Sequence, residues 1–173
     1  MKNKILTKIK NITSKNNKIS EDVNGINYII DSSVQHNIGE NTDYTATKRE
    51  VGNFFEEYTI HHMIEEGYDI LEHSYKTNKL EIDIIAKKDK KLVFVEVKSR
   101  NAKHKNNPLD AVDNEKMLNI FYAAKDYVKF LESKTIDTSK INVHFDAAGI
   151  TYDDDYNVID FIYCEDFYIS EFI

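Results

Sequence analysis

The sequence is poor in the residues that would tie it to an oxidising compartment or to a membrane. Among 173 residues there is one cysteine, Cys164, one proline, Pro108, and no tryptophan. A single cysteine excludes an intrachain disulfide framework and a multi-cysteine zinc site, so a reducing cytoplasm is the expected location. No stretch approaches the ~18 consecutive apolar residues of a membrane span, and no apolar block typical of a signal peptide follows the N-terminus. We therefore expect no membrane partner.

Positive charge is also scarce overall, although it is concentrated at one end. The net charge is −7, which argues against a protein that coats nucleic acid non-specifically but leaves room for an enzyme with a local basic groove. Residues 1–18 nevertheless carry six lysines and no acidic residue. We interpret residues 1–48 as a Lys/Asn-rich, poorly ordered N-terminal extension. The alternatives are a basic arm that contacts nucleic acid or a partner, or a short docking helix over residues 2–12.

From residue 49 to residue 173 the pattern is that of a folded α/β domain. Thr47 and Glu50 form a capping-box pattern at the start of a helix, and Gly67 stands where that helix should end. The element order α-β-β-β-α-β-β predicts a mixed β-sheet flanked by helices. The elements predicted after the first helix are strands over Tyr68–Tyr75, Leu80–Ala86 and Leu92–Val97, a helix over Asp113–Ser133, and strands over Asn142–Ile150 and Asn157–Tyr163.

The second and third strands are joined by a polar turn whose length fixes which side chains face each other. A two-residue or four-residue turn within residues 88–91 would place Asp83 opposite Glu96. It would likewise place Glu81 opposite Lys98. These four side chains would form a polar square on one face of the sheet, whereas a three-residue turn would destroy it. The apolar face would hold Ile82, Ile84, Val95 and Val97.

The predicted polar square brings together negative charges that need compensation. Like charges that face each other across strands are destabilising. Lys98 supplies one cation, and a divalent metal would supply the rest. Carboxylate oxygens suit Mg²⁺ or Mn²⁺, and such an ion can polarise a scissile phosphate and lower the pKa of a bound water. The alternative is an exposed polar face with ordinary cross-strand ion pairs.

Asp83, followed after twelve residues by Glu96-Val97-Lys98, resembles the signature of the PD-(D/E)XK nuclease superfamily. The wider pattern resembles the YraN family, small bacterial proteins described as predicted endonucleases similar to archaeal Holliday-junction resolvases. The resemblance covers residues 49–166 and implies a restriction-endonuclease-like core. It rests on Gly52 and Glu56, on GYDIL at 67–71, EIDIIA at 81–86 and VFVEVKSR at 93–100, and on Lys116 and Phe145-Asp146.

The resemblance implies roles for the residues of the predicted polar square and for two helix residues. Asp83 and Glu96 would be the metal ligands, with Mg²⁺ or Mn²⁺ as the cofactor. Lys98 would be the catalytic lysine. Glu56 would be a catalytic carboxylate that reaches the site from the first helix, directly or through water. Glu81 and Lys116 would be accessory residues near the site.

Three basic residues are candidates for contact with nucleic acid. The resemblance makes Lys116 a phosphate contact, whereas Arg100 and Lys103 belong to a basic run beside the proposed site. A solvated loop is the alternative for that run. The implied function is metal-dependent hydrolysis of phosphodiester bonds in DNA, branched or partly single-stranded, by a homodimer. The rival interpretations are a nucleic-acid-binding or scaffold module with little or no turnover, and a nuclease directed at RNA.

Overall fold

The computed structural model describes residues 46–77, 80–134 and 136–167. The predicted extension over residues 1–48 lies outside these ranges except for its last three positions. The described residues form an α/β fold, and the predicted order of helices and strands is confirmed, with one short 3₁₀ helix added. No helix in this part of the chain is long and apolar enough to cross a membrane. The elements are α1 (Lys48–Glu65), β1 (Asp69–Thr77), β2 (Leu80–Lys88), β3 (Lys91–Asn101), a 3₁₀ helix (Pro108–Ala111), α2 (Asn114–Ser133), β4 (Asn142–Tyr152) and β5 (Val158–Cys164).

The five strands form one mixed sheet in the order β1-β2-β3-β4-β5. The pairs β1–β2, β2–β3 and β4–β5 are antiparallel. β3 and β4 run parallel, from the pair Lys91↔Asn142 to the pair Asn101↔Tyr152. A parallel pair needs a crossover connection, and the segment that contains α2 supplies it. This topology matches the predicted mixed sheet and is compatible with a restriction-endonuclease-like core.

β3 is the centre of the fold because both of its faces are covered. Residues 92–96 are buried, and a near-continuous apolar run is typical of a strand covered on both sides. Phe94 packs toward α2, where it meets Tyr127. Val95 packs on the opposite face in the core that contains Met63 of α1. The sheet therefore separates two hydrophobic cores, and each helix closes one of them.

Caps define the end of α1 and the start of α2. Gly67 has φ +85°, a left-handed conformation that glycine adopts without steric cost. Just beyond it, the N–H of Tyr68 donates to the carbonyl of Met63 at 2.9 Å. α2 begins after Asp113, whose Oδ1 accepts the N–H of Lys116 at 2.8 Å. Both boundaries lie within one or two residues of those predicted from the sequence.

A glycine in β4 allows the 3₁₀ helix to lie against the sheet. Leu109 of that helix is buried over Gly149. A Cβ atom at Gly149 would lie 2.9 Å from Cγ of Leu109, closer than two carbon atoms normally approach. Gly149 is also the partner of Lys98 in the β3–β4 pairing. The close contact therefore holds the segment before α2 beside the strand that carries the predicted catalytic lysine.

Gly149→Ala should destabilise the protein by about 1–3 kcal/mol, because the new methyl group forces Leu109 to move. Gly52→Ala is the matched control. Nothing lies within 4 Å of a Cβ at Gly52, and this position is inside α1, so alanine should stabilise by roughly 0.5–1 kcal/mol. Urea unfolding measures both. Equal changes in the free energy of unfolding for the two substitutions would contradict the contact. So would a loss of stability in Gly149→Ala that is not reduced when Leu109→Ala is added.

Candidate active site

The hairpin of β2 and β3 has the predicted register but separates earlier than expected. Five residue pairs, from Lys88↔Lys91 to Ile84↔Val95, follow the register of a two-residue turn. Beyond Ile84↔Val95, the N–H of Val97 donates to Oδ2 of Asp83 at 2.7 Å. The Asp83 carboxylate thus takes the place of a main-chain carbonyl, and the strand ladder ends there.

The early separation changes the face of the sheet to which Ile82 belongs. Strict alternation predicts Ile82 on the same face as Ile84 and Val95. Ile84 and Val95 do pack in the core on the α1 face, but Ile82 packs in the core beneath α2. The prediction for Ile82 is wrong because it assumed a continuous ladder, and the ladder is interrupted at Asp83.

Glu96 carries a carboxylate that is buried at the centre of the sheet. Its side chain is 1% exposed. Nζ of Lys98 donates to Oε1 at 2.5 Å. Nζ of Lys116 lies 3.1 Å from Oε2, within ion-pair range, but the angles at this contact are not those of a hydrogen bond. Oε2 is the only buried side-chain nitrogen or oxygen without a hydrogen bond among the residues that the structure describes.

The buried carboxylates and the lysine change each other's ionisation. Burial, followed by the charge of Glu96, raises the pKa of Asp83 to about 7, whereas the N–H of Val97 acts in the opposite direction. Burial disfavours the charged form of Lys98, but the charge of Glu96 and the hydrogen bond to it raise the pKa of Lys98 overall. At neutral pH, Lys98 is therefore an ammonium, and Asp83 is divided between its two protonation states.

Glu56 approaches the site from α1 and is held by β1. Its Oε2 accepts a hydrogen bond from Nε2 of His73 at 2.8 Å and one from Oγ of Ser74 at 3.1 Å. The hydrogen bond to Glu56 raises the pKa of His73, although partial removal of the ring from water acts in the opposite direction. The charge of Glu56 also contributes to the raised pKa of Asp83, and the catalytic role of Glu56 stays a prediction.

Sequence reasoning misses His73 and Ser74 as the residues that position Glu56. The alternation of β1 is interrupted by an irregularity between Ile70 and Glu72, so side-chain directions beyond it cannot be counted from the sequence. Ser74 has φ +53°, a conformation that is uncommon outside glycine and asparagine. A serine gives no signal for such a backbone, and one histidine on a strand is not specific enough to identify a site.

Glu81 is engaged on the other side of β2, away from Glu96. It pairs with Lys76 of β1, and its Oε1 lies 3.4 Å from Nζ of Lys76. Both side chains are about half exposed, at 46% and 56%. The expected position opposite Lys98 is wrong because β2 has separated from β3 at Asp83, before Glu81 is reached. The accessory role of Glu81 stays a prediction.

Arg100 and Lys103 lie beyond Lys98, toward and past the end of β3. Strand alternation places Arg100 on the same face as Lys98. Arg100 is four residues along the strand from Glu96, so their Cα atoms are about 13 Å apart. Lys103 follows β3, and its Nζ lies 2.7 Å from Oδ2 of Asp154 in an exposed ion pair. Their contacts with nucleic acid stay predictions.

Three elements thus bring four of the predicted residues together. β2 supplies Asp83, β3 supplies Glu96 and Lys98, and the first turn of α2 supplies Lys116. The sequence suggested that Lys116 would meet a phosphate of the substrate. The structure brings its ammonium onto the buried carboxylate of Glu96, a contact that neither the resemblance nor the sequence pattern specifies.

The model of the uncharacterised protein family UPF0102 matches residues 55–150, more than half of the chain. The chain belongs to the UPF0102 family. A UPF0102 protein of Fusobacterium nucleatum subsp. nucleatum is 36% identical over 106 residues, which are 61% of this chain and 85% of that protein. One from Caldicellulosiruptor bescii is 36% identical over 110 residues, 64% of this chain and 89% of its own. One from Clostridium perfringens is 38% identical over 104 residues, 58% and 85% of the two chains.

The carboxylates of Asp83 and Glu96 in this UPF0102 protein are of the chemical type that binds a small, hard divalent cation. Oε2 of Glu96 is buried without a hydrogen bond, and the N–H of Val97 uses only Oδ2 of the Asp83 carboxylate. The described residues include no group of three or more His, Cys, Asp or Glu side chains that could hold a metal ion by themselves. Mg²⁺, however, is commonly held by one or two carboxylates, with water and substrate phosphates completing its shell.

Asp83→Asn should change how the stability of the metal-free UPF0102 protein depends on pH. Because the pKa of Asp83 is raised from 3.8 to about 7, the folded state keeps a proton that the unfolded state loses. The stability from this group is present below its unfolded pKa and lost as the pH rises to about 7. Asparagine keeps an acceptor for Val97 without a charge. The free energy of unfolding of Asp83→Asn, relative to that of wild type, should therefore rise by roughly 1–3 kcal/mol between pH 5 and pH 8.

Urea unfolding in EDTA at the two pH values measures this change. Glu81→Gln is the control, since it removes one exposed carboxylate from the same strand and should shift stability equally at both pH values. A difference between Asp83→Asn and wild type that is the same at pH 5 and pH 8 would contradict the electrostatic description of the site.

Proposed function

We propose that this UPF0102 protein is a metal-dependent endonuclease that hydrolyses phosphodiester bonds in DNA. The observation that carries the proposal is the buried carboxylate of Glu96, which has an oxygen without a hydrogen bond and lies in one cluster with Asp83 and Lys98. The Lys116 ammonium, 3.1 Å away, offsets the charge of this oxygen but makes no hydrogen bond to it, and a buried oxygen without a hydrogen bond costs free energy. A function that places a cation on this oxygen accounts for the presence of the Glu96 carboxylate in the middle of a well-packed sheet.

Asp83 and Glu96 would hold Mg²⁺ or Mn²⁺ through their carboxylate oxygens. When bound, the ion supplies Lewis acidity, which polarises the scissile phosphate and makes a water easier to deprotonate. A nearby cation also favours the ionised form of Asp83, whose pKa is raised to about 7 in the metal-free protein. The two carboxylates together suit a divalent ion in charge as well as in ligand type.

Lys98 is suited to stabilise negative charge rather than to accept a proton. The charge of Glu96 keeps its side chain protonated, so Lys98 enters the reaction as an ammonium. In hydrolysis, the oxygen of water forms a bond to phosphorus, and the bond from phosphorus to one sugar oxygen breaks. Negative charge develops on the phosphate oxygens and on the leaving oxygen. Lys98 can donate to these oxygens or orient the attacking water, and Glu56 of α1 would take part directly or through water.

The substrate we propose is DNA, branched or partly single-stranded. Arg100 in β3 and Lys103 just beyond its end carry positive charge away from the site, and they could contact backbone phosphates despite the net charge of −7. A homodimer would present two such sites to a symmetric four-way junction. Cys164 is a free thiol, in keeping with the cytoplasm as the place of action.

One feature favours a second candidate function, a nucleic-acid-binding or scaffold module with little or no turnover. Lys98 and Lys116 already balance the charge of Glu96 without any metal. A site whose carboxylate is neutralised by the protein itself could persist for its contribution to the fold alone. The two functions differ in whether Asp83 and Glu96 are needed for anything besides folding.

Cleavage assays on defined substrates test the nuclease proposal. Duplex, single-stranded, flapped and four-way-junction DNA, and a matched RNA junction, would be incubated with the purified protein in Mn²⁺ and in EDTA. We expect cutting of DNA only with metal, and a loss of about 100-fold or more in Glu96→Gln, Asp83→Asn and Lys98→Met. Asp160→Asn, which removes an exposed carboxylate from β5, should cut as wild type does.

The outcomes separate the candidates, provided that circular dichroism shows the variants to be folded. Cutting in EDTA, or equal cutting by Glu96→Gln, would remove this site from the reaction. Binding of DNA without cutting, unchanged in Asp83→Asn, would favour the scaffold module. Metal-dependent cutting of the RNA junction alone would replace DNA as the substrate.

A further inference from the structure

Lys98 and Lys116 both contact the carboxylate of Glu96, but they are not equivalent. Lys98 donates a hydrogen bond to Oε1 at 2.5 Å and lies two residues away on the same strand. Lys116 reaches Oε2 at 3.1 Å from another element of the fold, without a hydrogen bond. Hydrogen-bonded ion pairs are stronger than charge contacts alone. Lys116 is therefore the less tightly held of the two cations.

The position of Lys116 in α2 also weakens its hold. It lies in the first turn, where its own N–H is bonded to the N-cap residue Asp113. The amino end of a helix carries partial positive charge, which disfavours a lysine there. The side chain of Lys116 is 30% exposed, so its ammonium can return to solvent, whereas the Glu96 carboxylate, at 1%, cannot. The buried charge of Glu96 holds Lys116 in place, although the helix end and the nearby solvent favour its release.

We propose that Lys116 occupies the place of the divalent cation in the metal-free protein and must leave Oε2 of Glu96 before that cation can bind. The inference rests on the proposed function, because it takes Glu96 as a metal ligand. It goes further by assigning Lys116 as an internal competitor of the metal. Both cations need the same buried oxygen, and an ammonium group and a metal ion cannot occupy one contact together.

This competition has a consequence for the substrate. Once displaced, the ammonium of Lys116 still projects from the first turn of α2 beside the site and becomes available to a phosphate group. Metal binding therefore prepares a phosphate contact, and phosphate binding draws Lys116 away from Glu96. By linkage, each ligand raises the affinity of the other. The observed contact of Lys116 with Glu96 and its predicted contact with phosphate then describe two positions of one side chain.

The affinity for Mn²⁺ without nucleic acid tests this inference on the full chain. Isothermal titration would compare wild type with Lys116→Met, which removes the competing charge from a helix position that methionine tolerates. Lys116→Arg keeps the charge and offers a fork that bonds a carboxylate more firmly. Lys125→Met removes an exposed lysine from the same helix and is the control for net charge.

Lys116→Met should bind Mn²⁺ about threefold to tenfold more tightly than wild type, and Lys116→Arg more weakly. Lys125→Met should match wild type. An affinity in Lys116→Met that is equal to or weaker than wild type would overturn the inference, as would an equal gain in Lys125→Met. If wild type binds Mn²⁺, Glu96→Gln does not, and Lys116→Met gains nothing, the competitor role fails while the metal site stands. If neither wild type nor Lys116→Met binds Mn²⁺, both proposals fail.

Discussion

The carboxylate of Glu96 must be charge-balanced inside the sheet, and much of the site follows from this requirement. An uncompensated carboxylate at 1% exposure would cost several kcal/mol. Lys98, on the same strand, offsets part of that cost, and Lys116 of α2 offsets a further part. The second contact ties the first turn of α2 to β3, so the crossover between the parallel strands is anchored at the site itself. Packing of Phe94 under α2 and of Val95 under α1 then completes the two cores.

The fold could largely be predicted from the sequence because its signals are local. The apolar run before Glu96, the glycine at position 67 and Asp113 before α2 each mark an element through short-range chemistry. What could not be predicted depends on other parts of the chain. β3 continues to Asn101, four residues past its predicted end, because β4 pairs with it along its full length. The close contact of Leu109 with Gly149 is equally non-local.

In the candidate site, too, the local contacts could be predicted and the contacts between distant segments could not. Asp83, Glu96 and Lys98 lie on one hairpin, so a correct prediction of its turn length was enough to predict that they lie together. Glu81 was misplaced because the side chain of Asp83 ends the ladder, an event that strand alternation does not foresee. The contact of Lys116 with Glu96 and the bonds from His73 and Ser74 to Glu56 join distant segments. The family resemblance named some of these residues but not their partners.

The central claim is that the oxygen of Glu96 without a hydrogen bond is the place of a divalent cation. Crystals of the protein grown with Mn²⁺ and measured at a wavelength where manganese scatters anomalously would test it directly. The account predicts an anomalous peak within coordination distance of Oε2 of Glu96, next to Asp83, with the ammonium of Lys116 moved away. Lys116 still seated on Glu96 at saturating Mn²⁺, with no anomalous peak between Glu96 and Asp83, would contradict it.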